Sequence, residues 1–262
     1  MRRTLTTFVL TCLIATLSFA QQLPYLPEST FQGGEKLRYK LKYGILSAAS
    51  AYLQVSDSNL KFGPDPTFRL FASGATSGAF SLYTVKNKYE SYINKRTYLP
   101  YLYVENIQEG SYSREEYASF DHKNHTVTGK KGTFKSSKPQ FFDLVSAYYF
   151  ARNLDFSKLK KGDKFDINYF LSSGISELSV EYIGVEKIKT ALGTLECIKL
   201  SPEISPGRIF KKDSKLYLWV TNDGNRIPVK AHVEILIGSV TLELVSAEGL
   251  KYKLGQRASY SK

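Results

Sequence analysis

Residues 35–44 read Glu-Lys-Leu-Arg-Tyr-Lys-Leu-Lys-Tyr-Gly, an unbroken alternation with Leu37, Tyr39, Leu41 and Tyr43 on one side and Lys36, Arg38, Lys40 and Lys42 on the other. A period of two belongs to an extended strand with one buried face, because successive strand side chains point to opposite faces. The pattern returns at Val229, Ala231, Val233, Ile235 and Ile237, opposed by Lys230, His232 and Glu234. Gly238-Ser239 then reads as a two-residue hairpin turn, after which Val240, Leu242 and Leu244 continue the apolar face. Phe165, Ile167, Tyr169 and Leu171 make another strand, as do Leu178, Val180 and Tyr182. Asp223-Gly224 marks a turn between 216–220 and the run from Ile227, with Pro228 at a strand start. Weaker candidates at 48–56, 67–73, 83–93, 99–108, 112–120 and 194–200 bring the total to about a dozen strands. Short links imply antiparallel pairing, and a sheet of that size must curl or fold into layers. The expected fold is mainly β, a large curved antiparallel sheet that is barrel-like or two-layered.

Residues 141–154 break the pattern. Phe141, Leu144, Val145 and Tyr148 share one helical face, with Phe142, Tyr149 and Phe150 around the rest. A helix apolar almost all round is buried on more than one side. This aromatic helix is expected to pack on the concave face of the sheet or across its open end, with Asp143 and Arg152 as charges at its two ends.

The chain opens with Met1, Arg2 and Arg3, a short apolar core and Ser18-Phe19-Ala20, the three parts of an export signal. The expected organisation is a signal peptide over 1–20, a flexible linker over 21–31, a single β-rich domain over 32–250 and a basic tail over 251–262. A second flexible linker is expected over 130–139, where Lys and Ser cluster. No later stretch reaches the ~20 apolar residues of a transmembrane helix, so the exported chain is expected in the periplasm, with the outer membrane or secretion as alternatives. Cys12 leaves with the signal. Cys197 then stands alone, so no intramolecular disulfide can form, and it reads as a small buried hydrophobe.

The formal charge of +12 is spread along the whole chain. Such a surface attracts anionic partners such as lipid headgroups, and peripheral membrane contact fits it, whereas nucleic acid is not expected for an exported protein. His122 and His125 form a His-x-x-His pair with no third ligand beside it, so both read as surface residues, as does His232; no metal and no cofactor are expected. No nucleophile elbow, phosphate loop or dinucleotide fingerprint is present, so the protein is not expected to be an enzyme. Arg114 and Glu116 fall on the same side as Tyr112, Ala118 and Phe120, which requires either pairing inside the fold or solvation at a rim; the rim is favoured.

Several blocks resemble an exported bacterial family, domain of unknown function 3108. They are Phe31-Gln32-Gly33-Gly34-Glu35-Lys36-Leu37-Arg38-Tyr39, Ser81-Leu82-Tyr83 with Glu90-Ser91, Leu99-Pro100, Asp143-Leu144-Val145-Ser146-Ala147-Tyr148-Tyr149 with Arg152, Gly162-Asp163, and Leu218-Trp219-Val220 with Asp223 and Arg226-Ile227-Pro228-Val229. The resemblance implies an envelope protein of Gram-negative bacteria with a β-rich fold, and it supplies no reaction or ligand.

The leading expectation for function is a non-enzymatic binder of a lipid-like or amphiphilic envelope component, held in an apolar cleft between the sheet and the helix. Tyr148, Tyr149, Tyr169 and Trp219 are the candidate wall residues, and Arg152 and Arg226 the candidate partners of an anionic headgroup. The alternative is a structural or interaction protein acting through the basic outer face of 35–44. An outer-membrane β-barrel and a hydrolase rank lower.

Overall fold

The computed structural model describes residues 25–204 and 214–256, so the expected signal peptide and the last residues of the tail lie outside the described residues. The strands, in chain order, are β1 (Lys36–Tyr43), β2 (Leu46–Ser58), β3 (Thr67–Thr76), β4 (Lys86–Asn94), β5 (Pro100–Glu109), β6 (Tyr112–Asp121), β7 (Thr126–Gly129) and β8 (Gly132–Lys135). After the helix α1 (Leu144–Arg152) come β9 (Lys164–Leu171), β10 (Gly174–Thr190), β11 (Gly193–Pro202), β12 (Leu216–Thr221), β13 (Pro228–Glu234) and β14 (Ser239–Glu248). They form one 14-stranded sheet in the spatial order β8-β7-β6-β5-β4-β3-β2-β1-β14-β13-β12-β11-β10-β9. Two antiparallel meanders, β1–β8 and β9–β14, are thus joined by the pairing of the first strand with the last, Lys36 opposite Glu248 and Tyr43 opposite Val240. The connection between the two meanders carries α1.

The edge strands β8 and β9 share no ladder. Phe170, on the opposite face of β9 from Phe165, Ile167 and Tyr169, instead lies 5.9 Å from the ring of Phe134 in β8 and 6.3 Å from Phe120 in β6. The segment before α1 adds to this seam, with Phe142 bonded to Asn168 and Phe170 through the backbone. Aromatic packing, which needs no matched strand register, therefore closes the curl.

Among the described residues, three apolar clusters form the core. The first joins α1 to β9–β12 through Phe142, Phe150, Phe165, Ile167, Leu200 and Val220. The second joins α1 to β2–β7 through Val55, Leu70, Ile93, Val127, Phe141 and Tyr149. The third holds Leu37, Tyr39, Cys197, Trp219 and Leu244. The helix faces both meanders at once, and Val145, Ala147, Tyr149 and Phe150 are all buried. This is the packing that its all-round apolar surface requires.

Several local expectations are corrected. The clustered Lys and Ser of 130–139 do not form a flexible linker throughout, because Gly132–Lys135 is a strand. Val127 and Phe134 pair across the hairpin and turn inward, while Lys130 and Lys131 occupy its turn. The linker expected over 21–31 is held from Tyr25 onward. Leu26 donates to the Asn153 carbonyl at 2.7 Å, and Phe31 is packed among Phe68, Tyr98 and Tyr149. The start of the expected tail is likewise fastened: Leu250 and Leu254 pack on the third cluster, and Tyr252 exchanges two hydrogen bonds with the Asn225 side chain. Just before it, Gly249 has a φ of +64°, and a Cβ there would sit 2.2 Å from the Gly34 carbonyl oxygen, so only glycine fits. Lastly, Glu234 pairs with Ser239, so the hairpin loop is residues 235–238 rather than Gly238-Ser239. The inward alternation ends at Val233, and Ile237 stands 77% exposed.

Candidate functional site

The helix begins at Asp143, whose carboxylate accepts from the backbone of Val145 and Ser146 at 2.9 Å each while the Ser146 hydroxyl accepts from the Asp143 backbone. This reciprocal cap satisfies the otherwise unpaired first N–H groups. Ser91 of β4 donates to the other carboxylate oxygen at 2.6 Å, tying the helix start to the sheet. Burial raises the Asp143 pKa, against hydrogen bonds from Ser91 and Ser146 that lower it.

At the other end of α1, Arg152 makes a bidentate pair with Glu35 at 2.7 and 2.8 Å. It also donates to the Asn225 carbonyl at 2.8 Å, and its guanidinium lies over the rings of Phe31 and Tyr149. Asn225 is itself fixed by Asp223, whose carboxylate accepts from Thr221, Asn225, Arg226 and Gly255. Helix, N-terminal segment, the β12–β13 loop and the chain after β14 are thereby locked into one closed end. The lock leaves the Arg152 charge compensated by a carboxylate and carbonyls, as a buried cation requires.

Away from the lock the same inner face opens. On β1, Leu37 is 0% and Tyr39 3% exposed, whereas Leu41 and Tyr43 are half-buried. On β2, Val55 is buried, but Leu53, Ala51 and Ala49 are half-buried; on β3, Leu70 is buried, but Ala72, Gly74 and Thr76 are half-buried. On β14, Leu244 is buried, while Leu242 and Val240 are half-buried. Cross-strand register places these residues on one face: Leu41 opposite Ala49 and Leu242, Ala51 opposite Gly74. Tyr39 identifies it as the face toward the helix, since its hydroxyl is close to Tyr148 and Arg152. The result is an apolar trough with a floor of small side chains, plugged at one end by α1 and half-open at the other.

The sequence-derived candidates divide on this geometry. Tyr148 sits half-buried at the foot of the trough, and burial pushes its hydroxyl up to about 12, with Arg152 pulling the other way. Tyr169 is half-buried beside Leu178, Tyr182 and Leu218 on the first cluster. Tyr149 is wholly buried in the second cluster. Trp219 belongs to the third, where its indole N–H donates to Glu186 and the Lys199 and Lys230 ammonium groups lie 4.9 and 5.2 Å from its ring centre. Arg152, expected to meet an anionic headgroup, is committed to Glu35. Arg226 is 6% exposed and packs its guanidinium 5.3 Å from the Phe156 ring centre. The residues missed from sequence are the small ones, Ala49, Ala51, Ala72 and Gly74. Their signal was visible as Ala- and Ser-rich strands, but periodicity weighs large side chains.

Other chemistry-bearing residues are absorbed by the fold. His122 is half-buried rather than freely exposed: one ring nitrogen lies 2.8 Å from the Pro100 carbonyl, and the ring packs 4.6 Å from that of Phe141. Burial holds its pKa below the ordinary value. Glu116 is 5% exposed and accepts from the Lys130 backbone at 2.9 Å, so it is satisfied inside the fold, whereas the Arg114 side chain pairs with Glu105 and stays 38% exposed, partly solvated as a rim position would be. On the outer face, Lys42 pairs with Glu243 and Arg38 covers the Tyr52 ring.

The sequence matches the model of a family described as a protein of unknown function, DUF3108, over residues 38–245. The chain belongs to this family. No curated protein matches it. Among solved structures, it is similar to a β-barrel-like protein of the DUF1849 domain family from Brucella abortus, with a TM-score of 0.54 and 9% identity over 86% of this chain and 98% of that one. That likeness shows the fold alone. The hypothetical protein CT021 from Chlamydia trachomatis matches with a TM-score of 0.39 and 10% identity over 87% of this chain and 92% of that one. A protein from Bacteroides fragilis described as exported, with a YmcC-like fold, matches with a TM-score of 0.39 and 12% identity over 87% and 100%. Of the residues in the DUF3108-like blocks, Glu35, Arg152, Asp223 and Arg226 gather at the locked end and Asp143 caps the helix, so these residues serve the packing of α1.

Proposed function

We propose that this DUF3108 protein is an exported, non-enzymatic binder of a lipid-like amphiphile, whose apolar chain lies in the trough above α1. The observation that carries this reading is the loss of burial along β1, β2, β3 and β14. Large apolar residues such as Leu41, Leu53 and Leu242 remain half-open to solvent on a concave wall where Ala49, Ala51, Ala72 and Gly74 leave room above the backbone. A concave apolar wall with few polar groups is the usual form of a ligand pocket, and covering it with an acyl chain removes apolar surface from water. Tyr148 and Tyr169 supply the aromatic part of the wall, and the Arg114–Glu105 pair a polar margin. Asn87, near the strand ends, adds a further polar group.

Native mass spectrometry of the protein purified from a Gram-negative envelope is expected to show an added amphiphile mass, and a fluorescent fatty acid is expected to bind the delipidated protein. Ala51→Phe and Ala72→Phe, which fill the trough from its floor on the adjoining strands β2 and β3, should weaken that binding while leaving the circular dichroism spectrum intact. A clean unliganded mass together with no probe binding sinks the proposal, and so does undiminished binding by both filled variants.

A further inference from the structure

Three loops at the end of the sheet away from the lock carry large apolar side chains in water. Ile45, in the β1–β2 turn, is 95% exposed; Leu82, between β3 and β4, is 99% exposed; Ile237, between β13 and β14, is 77% exposed. Leu46, Tyr83 and Leu236 beside them are each at least half exposed. These tips form one edge. The Tyr43 hydroxyl donates to the Ile237 carbonyl at 2.9 Å, the Tyr43 ring lies 6.1 Å from that of Phe80, and Ser77 donates to Ala48 at 2.9 Å. Gly44 donates to Ser239 at 2.9 Å, so the β1–β2 turn is fixed to the β13–β14 loop as well.

A soluble surface rarely concentrates so much apolar area on adjoining loop tips without a use for it. We infer that this edge inserts into the interface of an anionic lipid bilayer. A second copy of the chain is the poorer fit. A stable dimer buries roughly 1,200–2,000 Å² of complementary surface, whereas side chains standing 77–99% free on separate tips need a medium that deforms around them. The flanking charge fits as well. The strands leaving these loops carry Lys40, Lys86 and Lys88 besides the Lys42–Glu243 pair, against Glu234 and the neighbouring Glu109, on a chain whose formal charge is +12. Tyr43, Phe80 and Tyr83 lie just behind the aliphatic tips, the depth that amphipathic rings favour at a membrane surface. This docking stands on the rim and holds whatever the trough contains.

The test is flotation of the exported chain with phosphatidylcholine vesicles containing about a quarter phosphatidylglycerol, compared with phosphatidylcholine alone. The parent should float with the anionic vesicles and be released by salt. The triple variant Ile45→Ser/Leu82→Ser/Ile237→Ser should bind about tenfold or more weakly, with an unchanged melting temperature, because aliphatic insertion adds to the electrostatic attraction. Lys86→Glu/Lys88→Glu should weaken binding at low salt and reduce its salt dependence. Failure of the parent to float, equal flotation of the triple variant, or a parent dimer that the triple variant dissociates each overturns the inference, the last in favour of a second copy.

Discussion

Arg152 and Glu35 form a bidentate ion pair at 2.7 and 2.8 Å with side chains only 2% and 0% exposed, joining the last turn of α1 to the residue that precedes β1. The charges interact away from water, so removing one partner strands the other. Glu35→Leu or Arg152→Met should each cost about 3–5 kcal/mol in urea unfolding, and the paired change Glu35→Leu/Arg152→Met should cost less than the sum of its parts. Additive losses in that cycle are the contrary result.

Asp143 joins two functions, capping α1 and accepting from Ser91. Asp143→Ala should destabilise by about 2 kcal/mol, and Asp143→Asn by less, since an amide oxygen still caps. Ser91→Ala isolates the link to β4, and thermal melts of the three variants should rank in that order, Asp143→Ala lowest.

Cys197 lies in the third cluster with 0% exposure, and burial pushes its thiol up to about 12. The thiolate is the reactive form, so a maleimide or disulfide reagent at pH 8 should leave the native protein unmodified and react once urea unfolds it. Rapid stoichiometric labelling of the folded protein is the opposing outcome.

Glu90 accepts from Arg69 at 2.6 and 2.8 Å, and this contact chiefly holds its pKa below the ordinary 4.5. A carboxylate with a depressed native pKa binds its proton more readily when unfolded. Its contribution is therefore complete above pH 4.5 and declines as pH falls through the lower native value. Glu90→Gln should flatten the acid limb of the stability curve and leave the slope between pH 6 and 8 unchanged. An acid limb identical to the parent's contradicts the assignment.

Alternation made most of the strands legible, and the aromatic stretch made the helix legible, because both signals come from side chains a few positions apart. Residues 126–135 were missed because polar Thr and Lys outnumber the two inward residues, Val127 and Phe134, that pair across a short hairpin. Ile235 and Ile237 misled in the opposite direction: they continue the period after the ladder has ended at Glu234 and Ser239, because periodicity carries no record of hydrogen bonding. In the candidate site, Tyr148 and Tyr169 were legible as aromatic positions, and both are half-buried. The trough floor was not, since alanine and glycine have no strong periodic signature, and the role of Arg152 was not, since Glu35 is 117 positions away.

The sequence by itself determined that this chain makes a large antiparallel sheet and one aromatic helix buried on several sides, because side-chain period and apolar coverage are properties of neighbouring residues. Only the tertiary structure decided which buried charges meet, that Phe170 and Phe134 close the curl in place of a ladder, and which end is locked and which open. Those outcomes depend on distances between segments far apart in the chain, and such distances exist only once the sheet has curled around its helix.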